Sequence, residues 1–306
     1  EKLYQGTILK QLESIHNHKI RKFQVENIIT SLHENALDCM RSLFQALDNY
    51  GLKVESREAA RIMDVLERYE PGSTKRIKLS AAEAADFQAV YKSDPIQQAY
   101  KRRAEFWLLD SCEYYMRNLD RFAQEDFEPN EEDILRVRIR TTGIISKDLK
   151  TRYQREHDLE PPYMNIKMVD VGGQRNERKK WLHCFDDVKC VLFLSSMAGY
   201  RQVLFEDCKK NRMIESLELF RKISHDRTFR DVPIILFLNK KDLFEQMIRS
   251  ESLSTCFPEY KGDNSYASAF GFLKAKFREQ LPKGKEVSIF DVTGCLILQF
   301  SFTNII

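Results

Sequence analysis

Residues 23 to 120 read as helix after helix. Apolar side chains recur at three- and four-residue steps, and no stretch alternates in the way a strand does. Leu37, Met40, Leu43, Phe44, Leu47 and Tyr50 fall on one predicted helix face, and Gly51 follows as a stop. Ile62, Val65, Leu66 and Tyr69 form a second stripe, ended by Pro71-Gly72. Ser80-Ala81-Ala82-Glu83 predicts a capping box, in which the Ser hydroxyl accepts from the Glu amide and the Glu carboxylate reaches back. Asp94-Pro95 predicts an N-cap with proline in the first helical position. The helix after it carries Tyr100, Trp107, Leu108 and Tyr114, and Trp107 reads as core rather than as a ligand contact.

From about Ile139 the pattern changes. Continuous apolar runs at 164–171, 190–195, 233–238 and 287–291 predict buried strands, and amphipathic segments at 211–224 and 265–280 predict helices between them. Strands alternating with helices predict a parallel sheet covered on both faces, hence an α/β fold. Residues 3–16 look like the start of a helix belonging to that α/β part. The expected organisation is therefore an α/β domain formed by 1–16 and 134–306, interrupted by an all-helical insertion at 17–133.

Composition narrows the function classes. The 42% hydrophobic content supports a real core, and 31% charged residues with few Gly or Pro suit a soluble, helix-rich chain. The net charge of +3, from 49 basic and 46 acidic residues, argues against a nucleic-acid partner. Seven Cys without a CxxC pair or a Cys/His cluster read as reduced thiols, and Cys184 and Cys190 as structural. No apolar run is long enough to span a membrane. The chain starts at Glu1 rather than Met, which suits a fragment or a processed product, and it carries no myristoylation pattern.

Chemistry concentrates at the predicted strand ends, where open parallel sheets bind ligands. Asp170-Val171-Gly172-Gly173-Gln174-Arg175 closes one apolar run, and Asn239-Lys240-Lys241-Asp242 closes another about seventy residues later. Asp170 can hold Mg2+ through water, Gly173 lets its backbone N–H approach a γ-phosphate, and Gln174 can orient an attacking water. In Arg136-Val137-Arg138-Ile139-Arg140-Thr141-Thr142-Gly143, arginines can meet phosphate oxygens with paired donors and a Thr hydroxyl can ligate Mg2+. Asn-Lys-x-Asp at a strand end suits a guanine base. Taken singly, Asp-x-Gly-Gly reads as a tight turn and Asn-Lys-x-Asp as a solvated helix start. Arg178-Lys179-Lys180 reads by default as a solvated face, but the neighbouring Trp181 and His183 lift it to a partner surface; His183 has no acidic neighbour in sequence and no catalytic role.

In this order the motifs resemble the α subunits of heterotrimeric G proteins, from about Thr7 to about Val292. The likeness includes Arg103-Ala104-Glu105-Phe106-Trp107-Leu108-Leu109-Asp110-Ser111 and the run from Asp170 through Trp181 to Phe185. It implies a Ras-like GTPase domain of P-loop type with an inserted helical domain, and a switch that binds GTP or GDP with Mg2+ and hydrolyses GTP. Arg138 would be the arginine finger in cis and Gln174 the water-positioning residue. Thr141 and Asp170 would hold the metal. The nucleotide would be met by Thr7, Asp110, Ser111, Leu135, Arg136, Val137, Arg138, Ile139, Arg140, Thr141, Asp170, Val171, Gly172, Gly173 and Gln174. Asn239, Lys240, Lys241, Asp242 and Cys295 would surround the base, with Asn239 and Asp242 reading its edge and the Lys240 stem lying along it. Arg175, Lys180, Trp181 and His183 resemble the surface for the βγ dimer. A seven-helix receptor and an effector enzyme are the other implied partners, and the implied location is cytoplasmic, peripheral at the inner face of the plasma membrane.

Both ends depart from that pattern. A P-loop needs a Lys for the β- and γ-phosphates and a Ser or Thr for Mg2+; aligned on Thr7-Ile8-Leu9-Lys10-Gln11, those positions hold Gln5 and Gly6, with Tyr4 at the second Gly. At the other end, Thr293-Gly294-Cys295-Leu296 replaces the family's Thr-Cys-Ala-Thr loop, and residues 297–306 are β-rich and nearly uncharged, an exposed-strand hazard. Abrupt divergence around a well-kept middle suits a fragment, a gene-model error or a decaying copy. The leading expectation is a working GTP switch; the alternative is a pseudo-GTPase that binds βγ or effectors without GTP turnover.

Overall fold

The computed structural model describes residues 22–69, 76–139, 143–152, 163–185, 187–204, 207 and 209–293. The chain divides into two compact units, one reaching Ile139 and the other following it.

The first unit is helical: α1 (Lys22–Tyr50), α2 (Arg57–Arg68), α3 (Ala81–Tyr91), α4 (Asp94–Lys101), α5 (Cys112–Phe122) and α6 (Glu131–Arg136). The α1 stripe does what its spacing predicts: Leu37, Met40 and Leu43 are fully buried, alongside Phe87, Tyr115 and Phe122 from other helices. Burying each such side chain contributes about 2 kcal/mol. Gly51 ends α1 at φ +66°, a left-handed conformation in which a side chain is strained, and Leu52 N–H closes the turn on Leu47 O at 2.9 Å. The Ser80–Glu83 capping box of α3 forms as its spacing predicts. Asp94 does not cap α4: Ser93 takes the N-cap, leaving Asp94 as the first helical residue, where its charge favours the helix amino end. Trp107 packs partly buried against this core.

A buried acid sets the last turn of this unit. Asn130 and Asp133 form a second capping box, and Asp133 is buried against Arg121 (2.7 Å) and the Tyr114 hydroxyl (2.8 Å). Burial alone would raise the Asp133 pKa, but these donors outweigh it and hold the carboxyl below its ordinary value. The Asp133 carbonyl then accepts from Val137 N–H at 2.8 Å, so the chain leaves α6 in a defined direction toward Arg138.

In the second unit, β3 (Val191–Ser196), β4 (Ile234–Asn239) and β5 (Val287–Asp291) form a parallel sheet in the order β3-β4-β5. Residues Ile234 to Leu238 are all buried, as expected of a central strand covered on both faces. Phe193, Leu236 and Leu238 pack with Phe220, Phe244 and Phe277 from α7 (Arg212–Ser224), α8 (Lys241–Ser250) and α9 (Tyr266–Arg278). Ile235, Phe237 and Val292 cluster separately with Leu192 and Phe290.

One expectation needs correction. The apolar run at 164–171 becomes β2 (Tyr163–Val171), yet among the described residues it pairs antiparallel with β1 (Ile144–Arg152) and not with the parallel sheet. The β1 residues, Ile-Ile-Ser-Lys-Asp-Leu-Lys-Thr-Arg, carry four charges, so an apolar pattern does not reveal them as a strand. Among the described residues no helix is long and apolar enough to cross a membrane.

Candidate functional site

The end of β2 leads into a locked turn. Gly172 N–H donates to Gly143 O at 3.2 Å, and Gly143 N–H donates to the Glu177 carboxylate at 2.7 Å. Gly143 adopts φ +82°, so a glycine is needed where the arginine-rich segment enters β1. Trp181 Nε1–H reaches back to Gly172 O at 2.8 Å, and Arg178 Nε–H to Gly173 O at 3.1 Å. Gly173 has an ordinary φ, and a β-carbon there would meet nothing within 4 Å. Neither backbone strain nor protein packing demands glycine at that point; open space beside this exposed residue suits a phosphate. Gln174 is half-buried, and its carbonyl accepts from Glu177 and Arg178 N–H, which starts the 3-10 helix Arg178–Cys184. Asp170, half-buried, pairs with Ile145 in the ladder.

Behind this turn stands a charge cluster centred on Glu215 of α7, whose side chain is 9% exposed. Its carboxylate meets Arg175 (2.8 Å), Arg178 (2.8 Å) and Lys210 (3.1 Å). Arg175, Arg178 and Lys210 overcome the effect of burial and hold the Glu215 carboxyl at a pKa of about 2. Arg178 is therefore half-buried within an ion-pair cluster and not on a solvated face. Lys180 pairs with Glu177 at 2.7 Å, Lys179 is exposed, and His183 lies on the same 3-10 helix.

At the end of β4, Asn239 is half-buried and Asp242 exposed. Lys240 sits at φ +63°, ψ +43°, the left-handed region, and its N–H donates to Asn239 Oδ1 at 2.6 Å. That leaves the Asn239 amide nitrogen as a donor, while the Asp242 carboxylate faces solvent as an acceptor. A donor for O6 or N7 and an acceptor for the exocyclic amino group are what a guanine edge requires. Lys241 turns toward Asp291 at 2.8 Å.

In the helical unit, Asn35 grips the backbone of Arg138 from both sides: Arg138 N–H donates to Oδ1 at 2.7 Å, and Nδ2–H donates to Arg138 O at 2.9 Å. Asn35 is itself buried, so the peptide around Arg138 is fixed while its exposed guanidinium stands 5.7 Å from the Trp107 ring centre. Arg136 instead pairs with Glu132 at 2.8 Å and lies over Tyr114, Val137 is buried and Ile139 packs on the core. Leu135 is half-buried on α6; Asp110 is exposed, and Ser111 precedes α5 without a side-chain cap. Thr7, Arg140, Thr141 and Cys295 lie outside the described residues, as do Gln5 and Gly6.

A sequence profile described as G-protein alpha subunit matches residues 5–304. The chain belongs to the G-protein α-subunit family. It is 40% identical over 283 residues to a guanine nucleotide-binding protein alpha-8 subunit of Dictyostelium discoideum, covering 92% of this chain and 67% of that protein. It is 37% identical over 276 residues to a guanine nucleotide-binding protein G(o) subunit alpha of Locusta migratoria, covering 89% and 74% respectively. In this α-subunit family member Arg175 and Arg178, which follow Gln174, are held by a partner the motifs do not contain, Glu215. It lies 37 and 40 residues from Arg178 and Arg175, too far for a local pattern to reveal. Its only sequence signal is an acid on the otherwise apolar, inward side of α7. Asn35, 103 residues from Arg138, was hidden for the same reason. Among the described residues no cluster of three or more His, Cys, Asp or Glu could cage a metal. A single carboxylate such as Asp170 is nevertheless what Mg2+ uses when nucleotide phosphates and water supply its other ligands.

Proposed function

We propose that this α-subunit family member is a guanine-nucleotide switch that binds GDP and GTP, hydrolyses GTP, and engages a βγ dimer, a receptor and an effector. The observation that carries this reading is the strand-end pair: Asn239 and Asp242 disposed as donor and acceptor around left-handed Lys240, with Gly173 open beside a locked turn. In hydrolysis, water attacks the γ-phosphorus as the bond to the β-phosphate bridging oxygen breaks, giving GDP and phosphate. Gln174 would orient that water, Gly173 N–H would meet a γ-phosphate oxygen, and Arg138 would neutralise charge that grows toward the leaving group. Asp170 and Thr141 would hold Mg2+, which when bound supplies positive charge to the phosphate oxygens. Arg175, Lys180, Trp181 and His183, on and beside one 3-10 helix, support a βγ-facing role, and the α-subunit family supports a peripheral place at the inner face of the plasma membrane.

Single-turnover phosphate release tests the roles. Arg138→Ala and Gln174→Leu are each expected to slow release about a thousandfold with nucleotide affinity nearly unchanged. Unchanged rates in both variants would remove these assignments. A second reading, a pseudo-GTPase, is favoured by Gln5 and Gly6 at the phosphate-Lys and Mg2+-Ser positions. It predicts that a βγ dimer is captured by the chain with no nucleotide bound or hydrolysed.

A further inference from the structure

We infer that Asp291, Lys241 and Tyr266 form a clamp that fixes the loop Asn239-Lys240-Lys241-Asp242, so that base selectivity depends on side chains that position the base-reading residues; this rests on the guanine reading above. Left-handed Lys240 is the starting point. A residue with a β-carbon holds that conformation only when its surroundings impose it. Asn239 Oδ1 secures one side of the peptide. The other side is secured by the residue after β5: Val292 N–H donates to Leu238 O at 3.0 Å, and Lys241 N–H donates to Val292 O at 3.2 Å.

Asp291 closes the arrangement. It is the last residue of β5 and stands in register with Leu238, immediately before Asn239. Its Oδ2 accepts from Lys241 Nζ at 2.8 Å and from the Tyr266 hydroxyl at 2.7 Å, and Lys241 Nζ lies 4.8 Å from the centre of the Tyr266 ring. Lys241 is the first residue of α8 and Tyr266 the first of α9, so one carboxylate ties the amino ends of two helices to the end of a strand. A negative charge at two helix amino ends is itself favourable. Lys241 is thereby committed away from the solvent-facing side that Asp242 presents. Its role becomes positioning, not contact with the nucleotide. Phe244 N–H donates to Lys240 O at 2.9 Å, so a shift of Lys241 would be felt through the first turn of α8, which carries Asp242.

The test uses the full chain and the variants Asp291→Asn, Lys241→Met, Tyr266→Phe and the Lys241→Met/Asp291→Asn double variant. Two readouts are taken: hydrogen exchange of the peptide spanning 238–243 without nucleotide, and affinity for GDP against inosine diphosphate. The clamp predicts exchange about fivefold faster in Asp291→Asn and Lys241→Met, and a GDP preference reduced by a similar factor, with the double variant no worse than either single. Global melting should move little. Loop exchange like wild type in Asp291→Asn overturns the clamp. Wild-type GDP selectivity in Asp291→Asn, with GDP bound normally, also overturns it. If wild type binds no GDP, the guanine reading has failed, and the exchange result alone then decides whether the clamp exists.

Discussion

At the residue scale, the proposed base recognition rests on an exposed side chain. Asp242 is exposed at the first turn of α8, and under the proposed function its carboxylate accepts from the guanine amino group. Asp242→Asn replaces an acceptor with a donor and is expected to weaken GDP binding roughly tenfold to a hundredfold, measured by competition against a fluorescent GDP analogue. An unchanged competition curve would move base recognition elsewhere. A different residue, His33, adds to acid sensitivity. His33 on α1 is fully buried, and neither ring nitrogen makes a hydrogen bond of normal geometry. Burial pushes its pKa down from 6.5 to about 4, with nearby Lys78 adding to the effect and the Phe122 backbone and Glu83 opposing it. A proton then binds the unfolded chain more readily than the folded one. Stability is complete above the unfolded value and declines as pH falls through the interval down to the folded value. The loss between pH 6.5 and 4 should approach about 3 kcal/mol. Urea unfolding of the helical signal at several pH values should show it, and His33→Leu should flatten the profile. An equally steep profile in that variant would assign the acid sensitivity to other groups.

At the scale of elements, legibility followed burial and distance along the chain. β4 was readable because both faces are covered and its run is apolar throughout. The α1 stripe was readable because its apolar positions recur at helical spacing. β1 was not, since four of its nine residues are charged and its pairing with β2 supplies the order that its composition lacks. The motif residues were legible as motifs, but the groups that hold them were not: Glu215, Asn35 and Asp291 are single polar side chains whose partners come from remote segments. Glu215 invites its own measurement. Its low pKa means that its ion pairs are intact above the ordinary carboxylate range and are lost as pH falls toward about 2. Glu215→Ala leaves Arg175, Arg178 and Lys210 facing one another and should lower the melting temperature by about 4 °C or more at neutral pH. It should also loosen the 3-10 helix Arg178–Cys184, readable as faster hydrogen exchange there. A variant with wild-type melting and exchange would show that the cluster is incidental.

At the scale of the whole molecule, the chain joins a helical unit and an α/β unit, each with its own core, and belongs to a family of nucleotide-dependent α subunits. The Asn239–Asp242 segment after β4 and the locked turn after β2 belong to the α/β unit; Arg138, gripped by Asn35, belongs to the helical one. Aligned on Thr7 to Gln11, the positions where the family pattern expects the phosphate Lys and the Mg2+ Ser read as Gln5 and Gly6. Fold class and family were legible because they rest on several motifs in order. Turnover was not, because it depends on whether the γ-phosphate side of the site can work with an altered β-phosphate side. Titrating the purified chain with a non-hydrolysable GTP analogue and with GDP, with and without Mg2+, decides this most directly. Binding and the emission of Trp181, which is hydrogen-bonded to Gly172 beside the open Gly173, are read together. The switch predicts micromolar or tighter, Mg2+-dependent binding and an emission change for the triphosphate that GDP does not produce; no binding at high protein concentration would contradict it.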